Sequence, residues 1–405
     1  MEPSTLVEDK VAFLDRTMDV DAHEMAPHHF WEEMFGESGG RLAKIAEPML
    51  KKLGGNDFYN PSVKADDLEL NTANVWTVRG VKAPSAFDFS RRTAAMDLLG
   101  VRRQLVFPGF GLVAMLLFEG NPYLASMTHN LSPAELRKLG ETGVDAHNDW
   151  AVKTSALDPD RLRIVGFIKP SDSVAQLVRQ AQGLVDRGIR AVQLLAGTPP
   201  GGRSPGHPDM DPFWSLLAER NIACTIHVGG ESGFLSSAEW RNAPAFAPGK
   251  VESHELGLEP YSFATLHFAV SNWLTCMVLG GVFERHPTLR FGAIEWGADW
   301  LGPLAERLDM FAQAYATRLA PIISLRPSQY LNRNVRVTPF NNFEPIEEHF
   351  KRYPQVANSF CYSTDFPHIE GGTNIKAKFY KRLESLGDEI LQNFFVNNGR
   401  LLLPD

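Results

Sequence analysis

The sequence predicts an α/β protein built as a (β/α)8 TIM-like barrel, and three observations carry that reading. Strongly apolar segments recur along the 405 residues, and helix-period segments fill the intervals between them. Eight such alternations favour a closed parallel barrel over a doubly wound open sheet. No repeat, low-complexity tract or polar linker divides the chain, so residues 1–405 read as one domain.

The first strand is expected in MDVDAHEM at 18–25. The others are RQLVFP (103–108), RIVGFI (163–168), AVQLL (191–195), IACTIH (222–227), RFGAIEW (290–296), NVRVTPF (334–340) and SFCYST (359–364). Helix starts are marked by Ser132-Pro133, Asp211-Pro212, Glu259-Pro260 and Glu344-Pro345, because a first helical turn tolerates a residue without an N–H. Segments 173–188 and 304–315 carry apolar residues at helical spacing and are expected to cover the sheet.

Between the first two strands, residues 24–102 far exceed a usual βα connection, and loops of that length commonly serve function. With Trp31, Phe35, Phe58, Tyr59 and Trp76, this insertion reads as a lid or partner surface. The Gly- and Pro-rich stretch 198–211 is expected on the same rim.

A net charge of -8 argues against nucleic-acid or anionic-membrane binding, which leaves a small-molecule substrate and a homo- or hetero-oligomer as the expected partners. The longest apolar run, 105–118, is too short to span a bilayer and is broken by Pro108, Gly109 and Gly111. The start MEPSTLVEDK lacks the features of an export signal, so cytoplasmic residence is the expectation. Cys224, Cys276 and Cys361 are widely separated in apolar surroundings and read as reduced core residues.

Side chains at the C-terminal ends of barrel strands line the active face. Four metal-ligand types fall there: Asp21, His23, His227 and Asp365. Singly, a strand-end Asp more often caps a helix; shared placement makes the set a candidate for one divalent cation. Zn²⁺ is the first expectation, with Mn²⁺ or Fe²⁺ also suited to two carboxylates. Such an ion lowers the pKa of bound water, and Asp365 is placed to take the proton.

Glu295, in IEWG, has three readings: a structural partner of backbone amides or Arg307, an acid/base, or an extra ligand. A second metal site would draw on Glu295 and His267, with His254 a further neutral ligand. His267 lies in the mostly apolar helical stretch YSFATLHFAVSNW and reads more readily as a satisfied core histidine. His368 is expected to orient Asp365 or contact substrate, with Trp296 as a second substrate contact. GTPPGG lacks the Lys-Ser/Thr of a phosphate loop, and no GxSxG elbow occurs.

Several strings together resemble the amidohydrolase-related family of the amidohydrolase superfamily, the branch that includes aminocarboxymuconate semialdehyde decarboxylase and aromatic acid decarboxylases. They are DVDAHEMAP (19–27), HNDW (147–150) followed by DPDRLRIVGF (158–167), HVGG (227–230), GGVFERHPTLRFGAIEWGADWLGPLAERLD (280–309), STDFPHIEGG (363–372) and VNNGRLL (396–402). The resemblance implies that His23, His227 and Asp365 occupy metal-ligand positions, and that Asp21 stands where relatives have the first His of an HxH pair or a Glu. That Asp keeps a ligand and adds negative charge. Glu295 stands where decarboxylase members carry a catalytic His in an HGG string.

The expected activity is metal-dependent hydrolysis or non-oxidative decarboxylation of a small organic carboxylate or amide. Two alternatives accompany it: a subunit of a non-heme metal monooxygenase on the same barrel, and a non-catalytic partner subunit with a structural metal.

Overall fold

The structure, a computed structural model, describes residues 13–53, 58–121, 124–125, 131–231, 240, 243–246, 260–340 and 343–405. Strands β1 (Thr17–Asp19), β2 (Val101–Val106) and β3 (Leu162–Ile164) form one parallel sheet. A second parallel sheet holds β4 (Gly166–Phe167), β5 (Ala191–Leu194), β6 (Ala223–His227), β7 (Arg290–Ile294) and β8 (Val335–Val337). β3 and β4 are one extended run interrupted at Val165, whose N–H donates to Val106 O.

Residues 360–366 bridge the gap between β8 and β1. Cys361 N–H donates to Val337 O, while the Val20 and His23 N–H groups donate to Tyr362 O and Phe366 O. The expected eighth strand is therefore an extended segment tied by isolated bridges and single hydrogen bonds instead of a continuous ladder. One reason is local: the Thr364 N–H goes to the Asp19 carboxylate at 2.8 Å, which takes it out of ladder pairing.

Met18, Leu105, Val165, Ala191, Ile294 and Cys361 belong to one buried cluster. Residues from strands so far apart around the ring can meet only in its interior, as side chains fill a small closed barrel. Leu402 and Leu403 of the C-terminal segment join this cluster. The larger core lies outside the ring, between strands and helices.

The predicted helix starts appear where their chemistry placed them. Ser132 caps Pro133–Ser155 in a capping box with Glu135. Asp211–Glu219 begins at Asp211 with Pro212 in its first turn, and Ile346–Arg352 follows Pro345. Pro260–Thr265 starts at its proline, while Glu259 lies outside the described residues. Val174–Val185 buries Leu177, Ala181 and Leu184, and Leu301–Ala314 buries Leu301, Ala305 and Leu308, each on one face.

Among the described residues, the stretch Pro260–Leu279 is long and apolar enough to cross a membrane. Here its face is a core element: Val270, Trp273, Leu274 and Met277 are buried, and Trp273 Nε1 donates to Ala196 O. Between β1 and β2 lie helices Trp31–Leu53, Thr72–Thr77 and Arg92–Leu99. Trp31, Phe35, Phe58 and Trp76 are buried in the shell instead of displayed; Phe35, for example, stacks on Phe110 at 4.0 Å. Cys224 and Cys361 are buried, and burial pushes the Cys361 thiol up to about 12.

Candidate metal centre

Parallel strands end on the same side, so the C-terminal ends form one mouth. Asp21 and His23 follow β1, His227 ends β6, Glu295 follows β7, Asp365 lies near the end of the bridging segment, and His368 follows it. Strict alternation would not place all of them inward. Ile294 points into the ring, so its neighbour Glu295 should face out. Glu295 instead has φ 62°, in the left-handed region, and its Oε2 lies 3.2 Å from His227 Nε2. Asp365 has φ 51°. Each such residue costs on the order of 1–3 kcal/mol and persists only where its surroundings over-determine it, as at functional sites.

Two overlapping groups result: Asp21, His23, His227 and Glu295, and His23, Glu295, Asp365 and His368, with the ligand atoms of each group within 4.8 Å of one another. His23 Nε2 lies 3.2 Å from Asp21 Oδ1 and 3.2 Å from Asp365 Oδ1, and His368 Nδ1 is 3.2 Å from Asp365 Oδ1. The His368 ring stacks on that of His23 at 3.6 Å. His227 Nδ1 faces Val228 O at 3.1 Å, an acceptor that suits a proton on this nitrogen, and Nε2 is the ring atom turned toward the site.

Nε2 lies 3.4 Å from Asp21 Oδ1 and 3.2 Å from Glu295 Oε2. So many potential ligand atoms in one space suit a cation. His23 Nε2 and Asp365 Oδ1 say the same: both are buried, they lie 3.2 Å apart, and neither is aligned for a hydrogen bond. Two carboxylates within 4.8 Å repel by roughly 3–4 kcal/mol at an effective dielectric near 20, and this site holds three. The donor set fits a divalent metal.

Electrostatics follow the same geometry. Burial alone would raise the Asp365 carboxyl, but the imidazoles of His368 and His23 more than offset it and hold the group well below the usual carboxylate range. For His23, burial works toward the neutral form, and Asp21 and Asp365 overcome it and raise the pKa.

The structure brings together Asp21, His23, His227, Glu295, Asp365 and His368. It does not bring in Trp296, expected to touch substrate: that side chain is 1% exposed and its Nε1 donates to Ile226 O, so it buttresses the wall. Nor does His267 join either group; it opens helix His267–Leu279, half-buried, within the electrostatic reach of Asp299. His254 lies outside the described residues. Arg307 lies over the Phe311 ring. In HNDW, His147 is fully buried and bonds Val165 O through Nε2, a structural role.

Asp19, Gln104 and Arg92, none of them singled out by a motif, form a buried network directly behind the mouth. A signal was available. Asp19 and Gln104 fall within runs read as buried strands, where a polar side chain needs a partner.

A parallel ring with imidazoles and carboxylates converging at its strand ends is the architecture of metal-dependent barrel enzymes. The chain belongs to the Amidohydrolase family, whose profile matches residues 27–404. Among solved structures it is similar to an amidohydrolase from Mycobacterium avium subsp. paratuberculosis K-10, with TM-score 0.65, 20% identity, and 96% of this chain and 99% of that chain covered. It is also similar to the 5-carboxyvanillate decarboxylase of Novosphingobium aromaticivorans complexed with manganese and 4-hydroxy-3-methoxy-5-nitrobenzoic acid, with TM-score 0.56, 17% identity and 96% of each chain covered. A dihydroxybenzoic acid decarboxylase from a Polaromonas species, with bound manganese and 2-nitroresorcinol, gives TM-score 0.56 at 13% identity over 96% of each chain. No curated protein matches the chain by sequence.

Proposed function

We propose that this chain is a divalent-metal-dependent decarboxylase that removes the carboxyl group of a small hydroxylated aromatic acid without oxidation. The observation that carries the reading is the convergence of three imidazoles and three carboxylates at one mouth, their ligand atoms falling in two overlapping groups that share His23 and Glu295. The manganese in two decarboxylases of the same fold supports it. An oxygen-rich donor set of this kind suits Mn²⁺ better than Zn²⁺.

Asp21, His23, His227 and Asp365 are assigned to hold the ion, with His368 packed on His23 to fix its ring. A bound divalent cation would supply positive charge that orients the substrate's oxygens and stabilises developing negative charge. Glu295 is assigned the proton. Its side chain is 15% exposed, against 2% for Asp21 and 7% for Asp365, so it is the carboxyl group of the set with a path to solvent. In the reaction the bond to the carboxyl carbon breaks, CO₂ leaves, and the electron pair left on the ring carbon takes a proton from Glu295. Phe107, with its ring 4.5 Å from that of His227, closes one side of the site to water.

A second reading is hydrolysis, and one observation favours it: a carboxylate, Glu295, reaches into the site where the resemblance led us to expect a catalytic His in a decarboxylase. Such a base would take a proton from water. Incubating the Mn²⁺-loaded protein with a panel of hydroxybenzoates tests the choice. Equimolar CO₂ and phenol are expected. No CO₂, with cleavage of esters, lactones or amides instead, would move the assignment to hydrolysis. Elemental analysis finding iron would bring back oxygenase chemistry.

A further inference from the structure

We propose that Arg92, supplied by the segment between β1 and β2, is a positioning residue of the metal centre that holds the backbone of His23 and Asp365 in place. The proposal rests on the metal-binding reading above.

Arg92 is fully buried and forms no ion pair within hydrogen-bond distance among the described residues. One guanidinium nitrogen donates to both His23 O at 3.1 Å and Phe366 O at 3.2 Å. The other donates to Ser85 O at 2.9 Å, and Nε to Gln104 Oε1 at 2.8 Å. His23 is itself in the donor set, and Phe366 follows Asp365 in the chain. A single planar group thus ties the main chain at the two strand ends whose side chains meet at 3.2 Å.

The network reaches the other side of Asp365 as well. Gln104 Nε2 donates to Asp19 Oδ2 at 2.7 Å, and Asp19 accepts the Thr364 N–H at 2.8 Å and the Thr364 hydroxyl at 2.6 Å. Thr364 and Phe366, the neighbours of Asp365, are therefore both held, directly or through Gln104 and Asp19. The Phe366 ring lies under Arg92 at 4.8 Å, and Arg79 of the same segment stands over it at 5.5 Å. Gly80 N–H donates to Pro367 O at 2.7 Å, fixing the next residue too.

Stability alone gives no need for such a group. Burying a guanidinium carries a desolvation penalty that its carbonyl partners only partly return, and apolar replacements of buried charges are often neutral or stabilising. What apolar side chains cannot do is bridge several carbonyls in a fixed fork. The left-handed backbone at Asp365 requires over-determination by its surroundings, and this network provides it.

The test measures Mn²⁺ affinity and the Mn²⁺ electron paramagnetic resonance line shape of the full chain, with thermal stability of the metal-free form alongside. Arg92→Lys keeps the charge and loses the fork. Arg336→Lys is the control: Arg336 is also buried and donates to Asn398 O and Val335 O at β8, away from the donor set. We expect Arg92→Lys to weaken Mn²⁺ binding ~10- to 100-fold with an altered line shape, the range that outer partners of metal ligands command. Arg336→Lys should lower stability and leave affinity and line shape as in wild type. Unchanged affinity in Arg92→Lys, or the same loss in both variants, would overturn the proposal. Should Arg92→Lys fail to fold, Phe366→Leu decides in the same way, with weakened binding expected and wild-type binding overturning. Wild-type protein that binds no Mn²⁺ would overturn the metal reading itself.

Discussion

Asp19 and Asp21 stand two residues apart, both buried, and their surroundings are opposite. The Asp19 carboxylate accepts from the Thr364 N–H, the Thr364 hydroxyl and Gln104 Nε2. Asp21 Oδ1 faces imidazole nitrogens at 3.2 and 3.4 Å, with two further carboxylates nearby. A carboxylate ringed by donors is a structural group, and one that shares its space with other potential ligand atoms is a candidate for holding a cation. Burial pushes Asp19 up to about 6 despite these donors, a measure of how dry the region behind the mouth is.

The largest effects should fall on the ligand side. His227→Ala should weaken Mn²⁺ binding by more than ~100-fold, beyond what outer partners command, and abolish turnover. Elemental analysis after dialysis checks this, and stoichiometric metal in the variant would break the assignment. Glu295→Gln should retain metal and lose ~10²–10⁴-fold in kcat, the usual range for a general acid. A variant with wild-type kcat would remove Glu295 from the proton's path.

Asp19→Asn sharpens the comparison from the structural side. It should cost about 1–3 kcal/mol in urea unfolding, because Thr364 and Gln104 lose a charged acceptor, with Mn²⁺ affinity falling ~10-fold or less. An affinity loss as large as that of Asp365→Asn would erase the distinction between the two carboxylates.

The smallest effect is in pH. Burial, only partly offset by the bond to Val165 O, pushes His147 down to about 4 from an ordinary 6.5. The unfolded chain therefore binds a proton that the folded chain refuses between those values. Stability from this group is complete above pH 6.5 and falls as pH drops toward 4, by about 1 kcal/mol between pH 7 and 5.5. Asp19 acts in the other direction: its raised pKa favours the folded state below pH 3.8, and that contribution is lost as pH rises through about 6. Asp19 offsets part of the His147 contribution, so the readout is wild type minus His147→Gln, and a difference that does not change with pH would refute the His147 account.

Much of this was written in local patterns. Capping at Ser132, Pro212 in a first turn and the apolar stripes of 174–185 and 301–314 are near-neighbour effects, and they fall where spacing placed them. The four strand-end candidates fall with Glu295 and His368 in two overlapping groups. Trp296 and His267 were harder to read, because whether an aromatic or a histidine lines a cavity depends on which distant segment covers it. The aromatics of 24–102 illustrate the same limit: their count suggested a displayed surface, and Phe110 and other partners far along the chain bury them.

By itself, then, the sequence determined the alternation of strands and helices and the chemical type of residue at each strand end, since periodicity and composition act over a few residues. Tertiary structure alone decided three things: the inward turn of Glu295 against strict alternation, the open ladder at 360–366, and the arginine from one segment that bonds to the main chain of two others. Each depends on hydrogen bonds between groups tens to hundreds of residues apart, and no local pattern encodes which donor will meet which acceptor.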